Sequence, residues 1–195
     1  MATPSDEQAR ASDLRRLQAV AAGDQATFAG LVDEHGPALL RFTASMLGST
    51  AEAEDVVQET LVKLWQAAAT WKPQARLATW LHTVCYNRAI DRLRGRRGFV
   101  DVSALDERED EGPLADAGLI RQETVASVRD ALRLLPQRQR TALLLFHFQE
   151  LPQAECAAVM ELSESAFESL LARARRALRG LLETQPGTGS GGRDD

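Results

Sequence analysis

Two groups of side chains in this chain of 195 residues have the types and spacing to bind rather than to react. Asp55, Gln58 and Glu59 fall at helical steps beside Val62, so on a helix they form an acidic face with an apolar residue set into it. A mixed face of that kind suits a partner helix better than water. Further on, Lys72, Arg76, Arg88, Arg92, Arg94, Arg96 and Arg97 stand against the single acid Asp91. Basic residues interleaved with an aromatic such as Trp80 make a surface that tracks phosphates and stacks bases. A helix dipole attracts cations to its C-terminus, which accounts for about two of these charges but not for the whole run.

The residue types that carry covalent or metal chemistry are not gathered in the same way. His35, His82, His147, Cys85 and Cys156 sit at unrelated spacings, with no Gly-rich phosphate loop, nucleophile elbow or HExxH. The reading is therefore no enzyme, no metal and no cofactor. Each cysteine lies inside a helical pattern and reads as a small buried hydrophobe in a reducing cytosol. The net charge is −5, and its uneven distribution along the chain matters more than its sign. No apolar run approaches the ~18 residues of a membrane span and no signal-peptide pattern opens the chain, so the expected location is the cytoplasm.

Helices must position these groups. Hydrophobic residues make up 44% of the chain but aromatics only 5%, and Ala, Leu, Arg, Gln and Glu dominate. Ser49 with Glu52 forms a capping box for a helix whose apolar stripe is Val56, Val57, Leu61, Leu64, Trp65 and Ala68. A second helix, about Leu77 to Arg97, aligns Trp80, Asn87, Asp91 and Arg94 on one stripe and offers Leu81, Cys85 and Leu93 for burial. Upstream, residues 1–13 read as a disordered N-terminus, then a helix runs from Leu14 to Ala22 and ends at Gly23. Asp24 caps the next helix, carrying Phe28, Leu31 and Val32. His35-Gly36-Pro37 reads as a break, with His35 at a helix end, before a third helix with Leu39, Leu40, Phe42, Met46 and Leu47. These complete one helical domain, residues 14–98.

Composition then switches. Residues 99–122 are acidic and carry Gly112, Pro113 and Gly118, which makes them a flexible linker. Residues 123–184 form a second helical domain ending in a helix-turn-helix pattern, and residues 185–195 a disordered tail. There Pro136 closes one helix, Pro152 opens a short one, and Ser163 caps a last helix whose inward stripe is Phe167, Leu170, Leu171, Ala174, Leu178 and Leu181. Ser165, Glu168, Ser169, Ala172, Arg173 and Arg176 point the other way, as in a recognition helix aimed at base edges and phosphates. The fold class is all-α, two small helical domains joined by an acidic linker.

The run Glu54-Asp55-Val56-Val57-Gln58-Glu59-Thr60-Leu61, then Thr79-Trp80-Leu81, then Asn87-Arg88-Ala89-Ile90-Asp91 and Arg94, resembles region 2 of the extracytoplasmic-function (ECF, group IV) sigma factors of bacterial RNA polymerase. Leu135-Pro136, Arg140, Glu155 and Arg173-Ala174-Arg175 resemble region 4 of the same family. Together the resemblances cover about residues 14 to 182.

The resemblance implies a promoter-recognition subunit that supplies no reaction of its own. It sets Asp55, Gln58, Glu59 and Val62 against the clamp helices of the polymerase β′ subunit, with the β flap as a further contact. By matching positions, Lys63, Ala67 and Trp71 with Asn87 line a pocket for a flipped base of the minus-ten element, where Trp71 stacks and Asn87 bonds a base edge. Arg88, Arg92, Arg94, Arg96 and Arg97 track the strand, Asp91 orients a neighbouring arginine, and Trp80 serves either the core or a base stack. The last helix reads the minus-thirty-five element. An anti-sigma factor covering both domains is the further partner implied.

One departure stands out. Where the family commonly has Gly-Thr-Val followed by Lys or Arg, this chain has Ser165-Ala166-Phe167-Glu168, and Leu170 replaces a frequent Arg. Glu168 repels phosphate unless it accepts from a cytosine amino group. The rival reading is a helix-turn-helix regulator that never touches polymerase, which leaves the acidic face unexplained.

Overall fold

The computed structural model describes residues 4–97, 125–149 and 151–184, and among them there are eight helices and no strand. In chain order these are α1 (Pro4–Ala21), α2 (Gln25–Leu47), α3 (Thr50–Ala67), α4 (Leu77–Arg97), α5 (Val125–Leu134), α6 (Gln137–Phe148), α7 (Gln153–Val159) and α8 (Glu164–Thr184). The expected linker and tail lie outside the described residues.

Capping residues set the boundaries of the first half. Gly23 and Gly48 hold φ of 94° and 70°, left-handed values that end α1 and α2 at little steric cost. Asp24 Oδ1 accepts from the Thr27 amide at 3.0 Å and Ser49 Oγ from the Glu52 amide at 3.4 Å, so both expected N-caps are in place. Leu77, at the start of α4, donates its amide to Asp13 of α1 at 2.8 Å, a cap supplied from 64 residues upstream.

Two expectations fail at this level. The N-terminus was expected to be disordered through residue 13, yet α1 begins at Pro4. Proline suits the first helical position, and Asp6 and Glu7 in the first turn complement the dipole. Leu17 and Val20 are then buried by α2. The break expected at His35-Gly36-Pro37 is absent, and α2 runs unbroken through Pro37. A mid-helix proline costs ~3 kcal/mol. Leu31 before it and Leu39, Phe42 and Met46 after it all lie in the core, and burying several such side chains at ~1.5–3 kcal/mol each outweighs that cost. His35 is consequently mid-helix rather than at an end.

Helix α3 packs on α2, and α4 packs on both. In the second half α5, α6 and α7 surround α8, with Phe167 and Ala174 of α8 fully buried. The halves also touch, α4 against α7 and α2 against α6. Cys85 and Cys156 are both buried and free, as read from the sequence. None of the described helices is long and apolar enough to cross a membrane.

Candidate functional site

The acidic face on α3 and the basic face on α4 are neighbours. Asp55, Gln58, Glu59, Val62 and Lys63 line one open groove with Arg88 and Arg92. Arg92 reaches Asp55 Oδ2 at 3.3 Å and Glu59 Oε1 at 2.8 Å, and Arg88 takes the other Glu59 oxygen. Arg96 pairs with Glu52 and donates to the Leu47 carbonyl at 3.1 Å, at the C-terminal end of α2 where a cation is favoured. Asp91 Oδ1 and Arg94 Nη1 are 3.9 Å apart along α4, with both side chains largely exposed. The Arg97 side chain lies outside the described part.

Beside this charged groove runs an apolar one. Phe28, Val32, Leu40, Val57, Leu61 and Trp65 line it between α2 and α3. Trp65, read from its period as a core residue, is 42% exposed, and its ring meets Phe28 edge-on at 5.0 Å. Val62 is 51% exposed beside it. Val62 is legible in the sequence as part of this face and Trp65 is not, because a three-and-four period does not separate the centre of a stripe from its rim. An exposed apolar strip bordered by carboxylates is the surface an amphipathic partner helix fits.

The base-pocket residues are less well gathered. Lys63 is exposed and Ala67 half-buried. Trp71 is only 9% exposed and belongs to the hydrophobic core, so its ring has no face to offer a base. This corrects the stacking role expected of it. An indole contributes more by burying its large apolar area than by waiting in water for a partner. Trp80 is half-buried and packs on the core, between its two expected roles.

Asn87 is exposed, and its Nδ2 donates to Glu161 Oε1 at 3.4 Å, in the turn between α7 and α8. Two more contacts join α4 to the second half. Thr79 Oγ1 donates to the Glu155 carboxylate. His82 Nδ1 donates to the Ala78 carbonyl at 2.8 Å, while Nε2 lies 3.1 Å from the Gln149 side-chain amide. Burial holds the His82 pKa below the ordinary imidazole value, so the ring is kept neutral there. Across the other contact Arg140 Nη2 donates to the Met46 carbonyl at 3.2 Å.

On the recognition helix Ser165, Glu168, Ser169 and Arg176 are exposed, while Ala172 and Arg173 are half-buried. Ser163 Oγ accepts from the Ala166 amide at 3.2 Å, the expected N-cap. Glu161 has φ of 56°, the left-handed turn residue that re-aims the chain between the two helices. Arg175 sits 5.2 Å over the Phe146 ring, which fixes its guanidinium against α6 rather than toward a groove. Among the described residues no group of acids, histidines and cysteines could hold a metal ion.

Known proteins match this arrangement. Residues 31–99 match the family Sigma-70 region 2, and residues 126–178 match Sigma-70, region 4. The ECF RNA polymerase sigma factor SigL of Mycobacterium tuberculosis is 33% identical over 172 residues, covering 85% of this chain and 94% of that one. The RNA polymerase sigma-H factor of Pseudomonas aeruginosa is 31% identical over 176 residues, covering 85% and 91%. Among solved structures, CnrH in complex with the cytosolic domain of CnrY superposes with a TM-score of 0.67 at 28% identity, over 89% of this chain and 99% of that one. The sigma factor RpoE in complex with the anti-sigma factor NepR from Bartonella quintana gives 0.62 at 26%, over 82% and 98%.

Proposed function

The chain belongs to the ECF RNA polymerase sigma factors, and on that premise we propose how its residues divide the work. Asp55, Gln58, Glu59 and Val62 dock on the β′ clamp helices of core RNA polymerase, with Trp65 and the apolar groove beside them as the hydrophobic part of that contact. Asn87 reads an extruded base of the minus-ten element, and Arg88, Arg92, Arg94 and Arg96 follow the strand. The exposed start of α8, Ser165, Glu168 and Ser169, faces the minus-thirty-five duplex, with Arg173 and Arg176 on its phosphates. The polymerase performs the chemistry; this subunit selects where it starts.

The observation that carries this reading is the adjacency of an acidic, partly apolar α3 face and a basic α4 face in one matched region. Control by an anti-sigma factor is proposed from the similar structure of the sigma factor RpoE, which is held in complex with the anti-sigma factor NepR. The proposal includes a cytoplasmic location, where polymerase is found. Transcription in vitro with purified core polymerase tests it. Addition of the chain should yield transcripts from a subset of promoters in a genomic library, and Asn87→Ala should abolish them while leaving polymerase binding intact. Transcription indifferent to the chain, with a complex formed, would overturn it.

A further inference from the structure

The arginines assigned to the DNA strand already hold carboxylates. Glu52, Asp55 and Glu59 follow one another along α3, and Arg96, Arg92 and Arg88 face them in reverse order along α4. The antiparallel helices therefore meet as a ladder, with Arg92 bridging Asp55 and Glu59 and both Glu59 oxygens in use. A guanidinium fork presents the same donors to a carboxylate as to a phosphate. The rungs are half-open to solvent, with side-chain exposures from 29% for Arg92 to 63% for Asp55, and none is enclosed in the core. Exposed pairs are individually weak, so they exchange partners readily, which a buried clamp would not do.

We propose that the α3 carboxylates are built-in competitors of DNA phosphates for Arg88, Arg92 and Arg96. A partner that docks on Asp55 and Glu59 with its own basic groups then releases the arginines to the strand. The polymerase-facing and DNA-facing surfaces are thus coupled by shared ion pairs rather than being two independent patches. This rests on the reading above that α4 follows the strand. It makes a prediction that reading alone does not: neutralising Asp55 and Glu59, while weakening polymerase docking, strengthens binding of the free chain to DNA.

The test is titration of the full chain onto a fluorescein-labelled single-stranded oligonucleotide of mixed sequence, from ~50 to ~200 mM salt. Asp55→Asn/Glu59→Gln is compared with wild type, with Arg88→Ala/Arg92→Ala, with the quadruple variant, and with Glu54→Gln/Asp33→Asn as an equal charge change outside the ladder. Melting temperatures are measured for all. The expected result is about five- to tenfold tighter binding for Asp55→Asn/Glu59→Gln, and a log K against log salt slope steeper by ~1.4, two phosphates at ~0.7 each. Both gains vanish in the quadruple variant. Unchanged affinity with a lowered melting temperature would overturn the proposal in favour of a helix clamp. An equal gain in the control variant, with no change of slope, would reduce it to net charge and overturn it too. If Arg88→Ala/Arg92→Ala weakens binding in no background, the strand assignment of α4 fails, and the proposal with it.

Discussion

Asn87 of α4 donates to Glu161 across 74 residues of sequence, tying the proposed base reader of the first half to the turn of the helix-turn-helix. The contact is long, at 3.4 Å, and exposed, so it contributes little to stability. Its consequence is for access: as the chain stands, the Asn87 amide faces a carboxylate of its own second half. Glu161 in turn holds a φ of 56° that an L-residue adopts only under strain.

Glu161→Gly should therefore stabilise the chain by ~0.5–1 kcal/mol, because glycine adopts that φ at little cost and the lost hydrogen bond is weak. Glu161→Ala keeps the strain and should give no gain. Urea unfolding of the two variants beside wild type checks both. A large loss in Glu161→Gly would mean that the inter-half contact is strong after all.

Acid should weaken the fold through its histidines. Burial lowers the pKa of His82 and of His35 below the ordinary 6.5, and Glu34 only partly opposes this for His35. The unfolded chain then takes up protons at higher pH than the folded one does. The stability owed to the neutral rings is complete above about 6.5 and is lost as pH falls from there through the lowered folded values. Urea midpoints at stepped pH should fall across that window, and His82→Gln should flatten part of the decline.

The core is sensitive at Phe42. It is 1% exposed and meets the His82 ring at 5.5 Å. Phe42→Ala should cost ~3–5 kcal/mol, and calorimetry reads this as a lowered melting temperature. Trp65→Ala, at the half-open rim, should cost far less stability yet weaken polymerase docking. If the two variants lost equal stability, Trp65 would be a core residue and its docking role would fall.

Neither thiol should react in the folded chain. Burial and the neighbouring Glu155 push the Cys156 thiol up to about 12, and burial raises Cys85 as well. A thiol reagent at mildly alkaline pH should label neither until denaturant is added. Rapid labelling of one equivalent would contradict the burial of both.

Much of this was legible in the residues. The caps Asp24, Ser49 and Ser163, the ends at Gly23 and Gly48, and the α4 span follow from local chemistry, and the structure keeps them. Pro37 misled because its ~3 kcal/mol penalty is local while the burial that offsets it is tertiary. Trp71 and Trp65 exchanged expected places, the first buried and the second exposed, because period alone gives no depth. The ladder was present in the spacing of residues 52, 55 and 59 against 88, 92 and 96. It becomes a reading only once α3 and α4 are known to run antiparallel and side by side. The contacts of Thr79, His82 and Asn87 with the second half join residues 67 or more apart, and no local pattern announces them.

The most direct test of the central assignment is titration of the full chain onto bacterial core RNA polymerase, wild type beside Asp55→Ala, with no anti-sigma factor present. The expected result is a tight wild-type complex and about tenfold or greater weakening in the variant, ~1.4 kcal/mol or more, at an unchanged melting temperature. A folded wild type that forms no complex, or a complex indifferent to Asp55→Ala, would contradict it.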